Sequence, residues 1–259
     1  MADYLDGTAE SNSFVLTFDD GYHDSFKVAM PILQRYSVPM HLFVTTGFVN
    51  GQVISWVDRV AQACSTAASK NYRIASLGLE LRFSKPTGRY EGFDRLCSAL
   101  KVMDIARIKE VLAEIEGLPG VIPLLNCDGL FLSASEIAAA NSLVSFGAHS
   151  VTHANFRLLD RAAIAVEAEG SRRWLEAATG RPVHTFAYPY GFAGDCSYDY
   201  FHRALASPAD SWRHVFGTGS GRAGDPLEDQ RLNLNLQPFY VFHVEVSGAL
   251  TLLRQALQR

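Results

Sequence analysis

The chain has 259 residues, 48% of them hydrophobic and 19% charged, with a formal net charge of −4. α/β barrels of about 200–250 residues commonly form one domain, so a single domain over residues 1–259 is expected. The charge balance leaves no electrostatic footprint for nucleic acid.

The opening stretch, MADYLDGTAESNS, lacks the basic-then-apolar pattern of a signal peptide, and no apolar run approaches the ~18 residues of a membrane span. A soluble protein is expected, with the cytoplasm favoured and a periplasmic or secreted location open if a leader has been removed. Cys64, Cys97, Cys127 and Cys196 are widely spaced with no C-x-x-C pair. That spacing predicts reduced structural thiols rather than a thiolate zinc site or a disulfide framework.

In chain order, FVLTF (14–18) reads as a strand that runs straight into Asp19 and Asp20. A helix follows near 24–36, with a kink tolerated at Pro31, and MHLFVTT (40–46) reads as the second strand. Within 51–132, SWVDRVAQACSTAA, FDRLCSALKVM and DIARIKEVLAEIEG read as helices and KPTGRYEG as a loop. This segment is expected to be a mostly helical insertion packed on the outer layer, with a lid or a partner surface as alternatives.

Ser133 and Glu136 form a capping box that opens a further helix. LVSFGA (143–148), VHTFA (183–187), HVFGT (214–218) and FYVFHVEV (239–246) read as strands. Between them a helix spans about 160–179, capped by Asp160, apolar through Ile164, Val166 and Trp174, and stopped by Gly180. GALTLLRQALQ closes the chain as an amphipathic helix. Strands alternating with helices predict βα units around a parallel sheet or barrel. GSGRAG at 219–224 fits a dinucleotide-loop pattern, but Asp225-Pro226 follows it where a helix would have to begin, so it reads as a loop.

Polar clusters stand at the C-terminal ends of three predicted strands: Asp19 and Asp20, His149 and His153, and Pro189-Tyr190-Gly191. In α/β barrels those ends converge on one face, so these distant segments are expected to meet. HSVTH (149–153) places two imidazoles at i and i+4, on one side of a helical turn, where they can share a cation. A carboxylate from the first cluster would complete a two-His, one-carboxylate site with open positions. Two adjacent acids at the end of a buried strand then have a use, since one ligates the cation and the other takes a proton from the attacking water. Asp24 is better suited to capping the next helix.

TFDDG (17–21) and HSVTH (149–153) resemble the first two motifs of the polysaccharide deacetylases, the NodB-homology or carbohydrate esterase family 4 group. FAYPYG (186–191) resembles the third motif in the form used by the exopolysaccharide-associated branch. The resemblance extends through LEAATGRPV and covers most of the chain outside 51–132. It implies a distorted (β/α) barrel, with Asp19 as general base, Asp20, His149 and His153 as metal ligands, and the Tyr190 backbone N–H as an oxyanion donor. Tyr188, Pro189 and Tyr190 would contact substrate, Tyr22 being a further aromatic near the mouth.

Two departures matter. Many relatives have an arginine where Ala187 stands, and Arg231 is the candidate to replace its orienting role. The Leu-x-His motif that supplies the acid is matched only by Val241-Phe242-His243, so His243 is the candidate acid, with His184 a poorer one and a core histidine the bland reading.

The resemblance implies metal-assisted hydrolysis of an N-acyl, by family N-acetyl, group on an amino sugar of a glycan or glycan precursor. One divalent ion is expected, zinc by default for two imidazoles and a carboxylate, with iron, cobalt, nickel or manganese able to occupy the same donors. The alternatives are a C–N hydrolase on the same scaffold acting on a formyl-amino sugar, a cyclic imide or a ureide, and a carbohydrate-binding or regulatory module without turnover. The sequence carries no signal for an oligomeric state.

Overall fold

The computed structural model describes residues 8, 15–190, 212–218 and 229–231. Six parallel strands form one sheet in the order β1 (Leu16–Phe18), β2 (Met40–Val44), β5 (Val144–Ala148), β6 (Thr185–Ala187), β7 (His214–Thr218) and β8 (Asp229–Arg231). Their spatial order follows their order in the chain. Because parallel crossovers share one hand, a sheet built this way carries its helices on one side and curls toward the other. The result is a curled half-barrel with outer helices, as the sequence predicts. The strand expected at 239–246 and the closing helix lie outside the described residues.

The strands are short and apolar because both faces are covered. All five residues of β2 are buried. Leu42 and Val44 face the main core, formed with Ile137, Ile164, Ala168, Leu175, Val183, Phe186 and Trp212. Phe43 faces the other way, onto Ala187 and Phe216. His41, on that same face, is held by Ser145 Oγ at 2.7 Å and Thr185 Oγ1 at 2.8 Å, so a polar side chain inside the sheet is satisfied at both ring nitrogens.

After β1 the chain enters a π-helical turn, Ser25–Ala29, that continues as α1 (Met30–Arg35). The kink expected at Pro31 takes this form. Proline has no N–H to give and its ring crowds the carbonyl four residues back, so a wider turn before it relieves both. Asp24 occupies the N-cap position, yet its side chain makes no capping hydrogen bond and its backbone is already helical at φ −65°, ψ −27°. The capping role expected of it is therefore not filled.

Between β2 and β5 come α2 (Thr46–Val49), α3 (Trp56–Thr66), a hairpin of β3 (Asn71–Ile74) and β4 (Leu79–Arg82), α4 (Pro86–Leu100) and α5 (Ile105–Glu116). Two expectations for this segment need correction. The hairpin was not read from the sequence, although its first strand alternates exposed and buried residues in Asn71–Ile74. KPTGRYEG is also not a loop: Pro86 opens α4 at its first position, where a missing N–H costs nothing. Gly88 and Gly92 are tolerated in that helix because it lies against the hairpin. A Cβ on Gly88 would stand 2.0 Å from the Arg82 carbonyl oxygen, and one on Gly92 would stand 2.5 Å from the Phe83 ring. Close packing outweighs the roughly 1 kcal/mol of helix propensity each glycine gives up.

These elements gather a core of their own around Trp56, Val60, Phe83, Leu96, Leu100, Val111, Leu112 and Ile115. Cys64 and Cys97 lie here, and burial pushes their thiols up to about 11 and about 12 respectively, which keeps them protonated and unreactive. Cys64, Cys97 and Cys127 are free thiols, in line with the spacing argument, while Cys196 is outside the described residues.

The chain then forms α6 (Ala134–Ala138), opened by the expected Ser133–Glu136 capping box, and α7 (Arg161–Thr179), capped by Asp160 and ended by Gly180 at φ 65°. The buried face of α7 is Ile164, Glu167, Ala168, Ser171 and Leu175. Val166, expected on that face, is 65% exposed. Among the described residues no helix is long and apolar enough to cross a membrane.

Candidate metal centre

Asp19 and Asp20, His149 and His153, and Pro189 and Tyr190 stand past the C-terminal ends of β1, β5 and β6, and three of these side chains converge. Asp20 Oδ1 lies 3.2 Å from His153 Nε2 and 3.6 Å from His149 Nε2. Among the described residues these three form the group whose ligand atoms all fall within 4.8 Å of one another. Two donors bound at about 2.1 Å to one tetrahedral ion stand about 3.4 Å apart, whereas an N–H···O hydrogen bond brings its atoms to about 2.9 Å. The two observed spacings fall on either side of the value for donors around one ion.

The backbone explains how Asp20 reaches the centre. Asp20 sits at φ 68° and Gly21 at φ 86°. Left-handed backbone at a residue with a Cβ costs roughly 1–2 kcal/mol, so the turn is held from outside. The Asp20 carbonyl accepts from the Thr45 N–H at 3.3 Å, and the Gly21 N–H donates to the Asp19 carbonyl at 2.8 Å. Thr45, fully buried after β2, also brings its hydroxyl within 3.1 Å of the His149 carbonyl and 3.4 Å of Asp20 Oδ1.

His149 is almost fully buried. Its Nδ1 lies 2.7 Å from the Ala187 carbonyl oxygen. A carbonyl only accepts, so Nδ1 carries a proton, and in the neutral ring the Nε2 lone pair is the one that faces Asp20. This is the tautomer a metal ligand needs. Ala187 thus contributes through its main chain.

His149 and His153 do not share a helical turn, and that expectation is corrected. They bracket an irregular loop with Ser150 at φ 68° and His153 at φ 58°. Tertiary contacts shape it: the Thr46 and Gly47 N–H groups at the start of α2 donate to the Ser150 and Val151 carbonyls at 3.2 and 2.8 Å. The Ser150 hydroxyl accepts from the His153 N–H at 2.9 Å. A Cβ on Gly47 would come within 2.3 Å of the Val151 carbonyl oxygen. Gly47→Ala is therefore expected to lower stability by about 1–3 kcal/mol in a denaturant titration, since backbone must move. An unchanged midpoint would refute the close approach.

The His153 ring is enclosed by Phe48, stacked at 6.0 Å, and by Tyr190, edge-on at 4.9 Å. Burial, helped by His149, pulls its pKa below the ordinary histidine value, which favours the neutral ligating form. The Asp20 carboxylate, and to a lesser extent that of Asp19, opposes that shift.

Tyr190 is at φ 68°, and its phenol oxygen accepts from the Trp56 Nε1–H at 2.9 Å. Tyr22 donates from its hydroxyl to Asp58 Oδ2 at 2.9 Å. Burial raises both phenols well above the usual tyrosine range, so they stay protonated. Through Trp56 and Asp58, α3 of the 51–132 segment forms part of the wall around the centre.

The other sequence-nominated residues are placed as follows. Tyr188 is buried, its ring set among Phe156 and Phe186 in the main core, and Pro189 beside it is also buried. His184 stands before β6, at the opposite end of that strand from Tyr190. Arg231 pairs in register with Thr218, at the C-terminal end of β8 and on the sheet edge that carries the centre. His243 lies outside the described residues.

Sequence reasoning did not single out Thr45, Trp56, Asp58 or Glu167. Glu167 alone left a legible signal, an acid spaced with Ile164, Ala168 and Ser171 on the buried face of a helix.

A parallel half-barrel with an Asp-His-His cluster at its strand ends defines a class of fold suited to divalent-metal chemistry. The sequence profile described as Polysaccharide deacetylase matches residues 6–115 and 133–204. That is well over half of the chain, which belongs to the polysaccharide deacetylase family. No curated protein matches it in sequence. Among solved structures, a de-N-acetylase from Aggregatibacter actinomycetemcomitans is 14% identical with a TM-score of 0.50, over 93% of this chain and 79% of that one. The Bacillus anthracis protein BA0330 is 15% identical with a TM-score of 0.51, over 90% of this chain and 50% of that one. The Streptococcus pyogenes deacetylase PplD, solved with acetate, is 18% identical with a TM-score of 0.45, over 88% of this chain and 68% of that one. For the first two, at these identities, the likeness is one of fold.

Proposed function

We propose that the protein is a metal-dependent hydrolase that removes an N-acyl group, N-acetyl in the first instance, from an amino sugar of a glycan or glycan precursor. The observation that carries this reading is the chelating geometry of Asp20, His149 and His153 in a chain of the polysaccharide deacetylase family. Residues 1–259 are taken as one catalytic unit. The FAYPYG form of the third motif is the reason to favour an exopolysaccharide as the glycan.

The donor set suits a divalent ion, with zinc first, because it offers two neutral imidazole nitrogens and one carboxylate oxygen. Such an ion, when bound, supplies Lewis-acid polarisation of a water and of an acyl oxygen. The chain's own residues do the rest. Asp19 takes the proton of the attacking water as the C–O bond forms. The Tyr190 backbone N–H donates to the oxygen that gains charge at the tetrahedral stage. An amide nitrogen leaves poorly unless protonated, so an acid is required; His243 is the candidate, with Arg231 orienting Asp19. Tyr190 is the sugar-facing residue of the segment after β6, whereas Tyr188 and Pro189, expected to join it, are buried. The proton taken by Asp19 and the one given to the leaving amine balance the products, a free amino sugar and a carboxylate.

Acetate release from N-acetylglucosamine oligomers by zinc-loaded protein tests the proposal. Release that stops with a chelator and returns with zinc is expected. A protein that holds the metal yet releases neither acetate nor formate from acetylated and formylated amino sugars would refute the hydrolase reading.

A further inference from the structure

We propose that Glu167 is a positioning residue for the metal: its buried carboxylate clamps the loop carrying His149 and His153, and so sets how tightly the cluster holds a divalent cation. This rests on the metal-centre reading above and concerns a residue outside the ligand set.

Glu167 projects from the buried face of α7 and is only 8% exposed. Its Oε2 accepts from the Val151 and Thr152 N–H groups, both at 2.8 Å, and its Oε1 accepts from the Thr152 hydroxyl at 2.6 Å. All three donors lie between the two imidazoles. Among the described residues no lysine or arginine pairs with this carboxylate, so its compensation comes from the loop itself.

The peptide at Val151 is thereby gripped from two sides. Its N–H is held by Glu167 and its carbonyl by the Gly47 N–H at 2.8 Å. Flanking that grip, Ser150 and His153 hold left-handed backbone at φ 68° and 58°. If the carboxylate is removed, two half-buried amides lose their acceptor, and relaxing them means turning the very peptides that aim His149 and His153. The imidazoles would then have to be ordered when the cation binds, which weakens binding without removing a ligand. A glutamine keeps the geometry: its amide oxygen can receive both N–H groups and its NH2 can donate to the Thr152 hydroxyl. The position therefore needs an acceptor of this reach, not a charge.

The test is a cobalt(II) titration of metal-stripped full chain, followed by visible absorption, for wild type, Glu167→Gln and Glu167→Met. Each is held below its own unfolding temperature as judged by circular dichroism. Outer-shell changes typically cost 10–100-fold in metal affinity, and Glu167→Met is expected in that range, with a broadened or weakened cobalt band. Glu167→Gln is expected within about threefold of wild type, as its acceptor oxygen is preserved. A merely structural role would lower the unfolding temperature and leave the affinity of the folded variant alone. Wild-type affinity in Glu167→Met, or equal losses in the two variants, would overturn the proposal. If Glu167→Met does not fold, Glu167→Asp decides: its shorter arm cannot span both amides, so about tenfold weaker binding is expected and unchanged binding refutes the clamp. A wild-type chain that takes up no cobalt overturns the metal reading itself, an outcome distinct from variants that match a cobalt-binding wild type.

Discussion

Asp19→Asn is expected to lower kcat for acetate release by about 10²–10⁴-fold while leaving metal affinity within a few-fold of wild type. Asparagine matches the shape of aspartate but cannot take a proton from water, so the substitution removes one function and little volume. The sequence places Asp19 next to Asp20 just after β1, and Asp20 takes left-handed backbone at φ 68°. Among the described residues it is Asp20 that forms the cluster with the histidines. The reading requires this split of roles between adjacent acids. The measurement is steady-state kinetics on N-acetylglucosamine oligomers beside metal analysis of the same sample. A variant with full kcat would remove Asp19 as the base, and one that loses its metal would show that Asp19 is a ligand instead.

His149→Ala should have the larger effect on the cation, with affinity falling on the order of 10³-fold or more, beyond the 10–100-fold of an outer-shell change. Two consequences combine. One of three donors disappears, and a cavity opens at a nearly fully buried position where the Ala187 carbonyl has lost its donor at 2.7 Å. The expected readouts are a folded protein with substoichiometric metal after dialysis and no acetate release at micromolar zinc. Stoichiometric metal held as tightly as by wild type would show that the cluster is not the centre. Comparison with Gly47→Ala separates the effects, since that change disturbs the same loop while keeping every donor.

Much of the candidate site is legible in the sequence. Asp19-Asp20, His149 and His153 each sit where an apolar run ends, and parallel strands gather their C-terminal ends on one edge. The capping box at Ser133, the cap at Asp160 and the stop at Gly180 are local signals that held because they depend on only a few neighbouring residues. The glycine-bearing start of α4 was misread for the opposite reason: its helix is stabilised by Arg82 and Phe83 across the hairpin, which no local propensity records. Val166 shows the limit of periodicity, since an apolar side chain at roughly helical spacing is here mostly exposed while Glu167 beside it is buried.

By itself the sequence placed strands along the chain, set acids and imidazoles at their C-terminal ends, and carried the family resemblance, because all of these rest on residue type and spacing. The tertiary structure decided which aspartate joins the histidines, which tautomer His149 adopts, and that the HSVTH loop is held by α2 and Glu167 rather than wound as a helix. Those outcomes depend on contacts such as Gly47 with Val151 and Glu167 with Thr152, more than a dozen residues apart or in another element. Hydrogen bonds of that reach form only once the sheet has curled and brought the segments together.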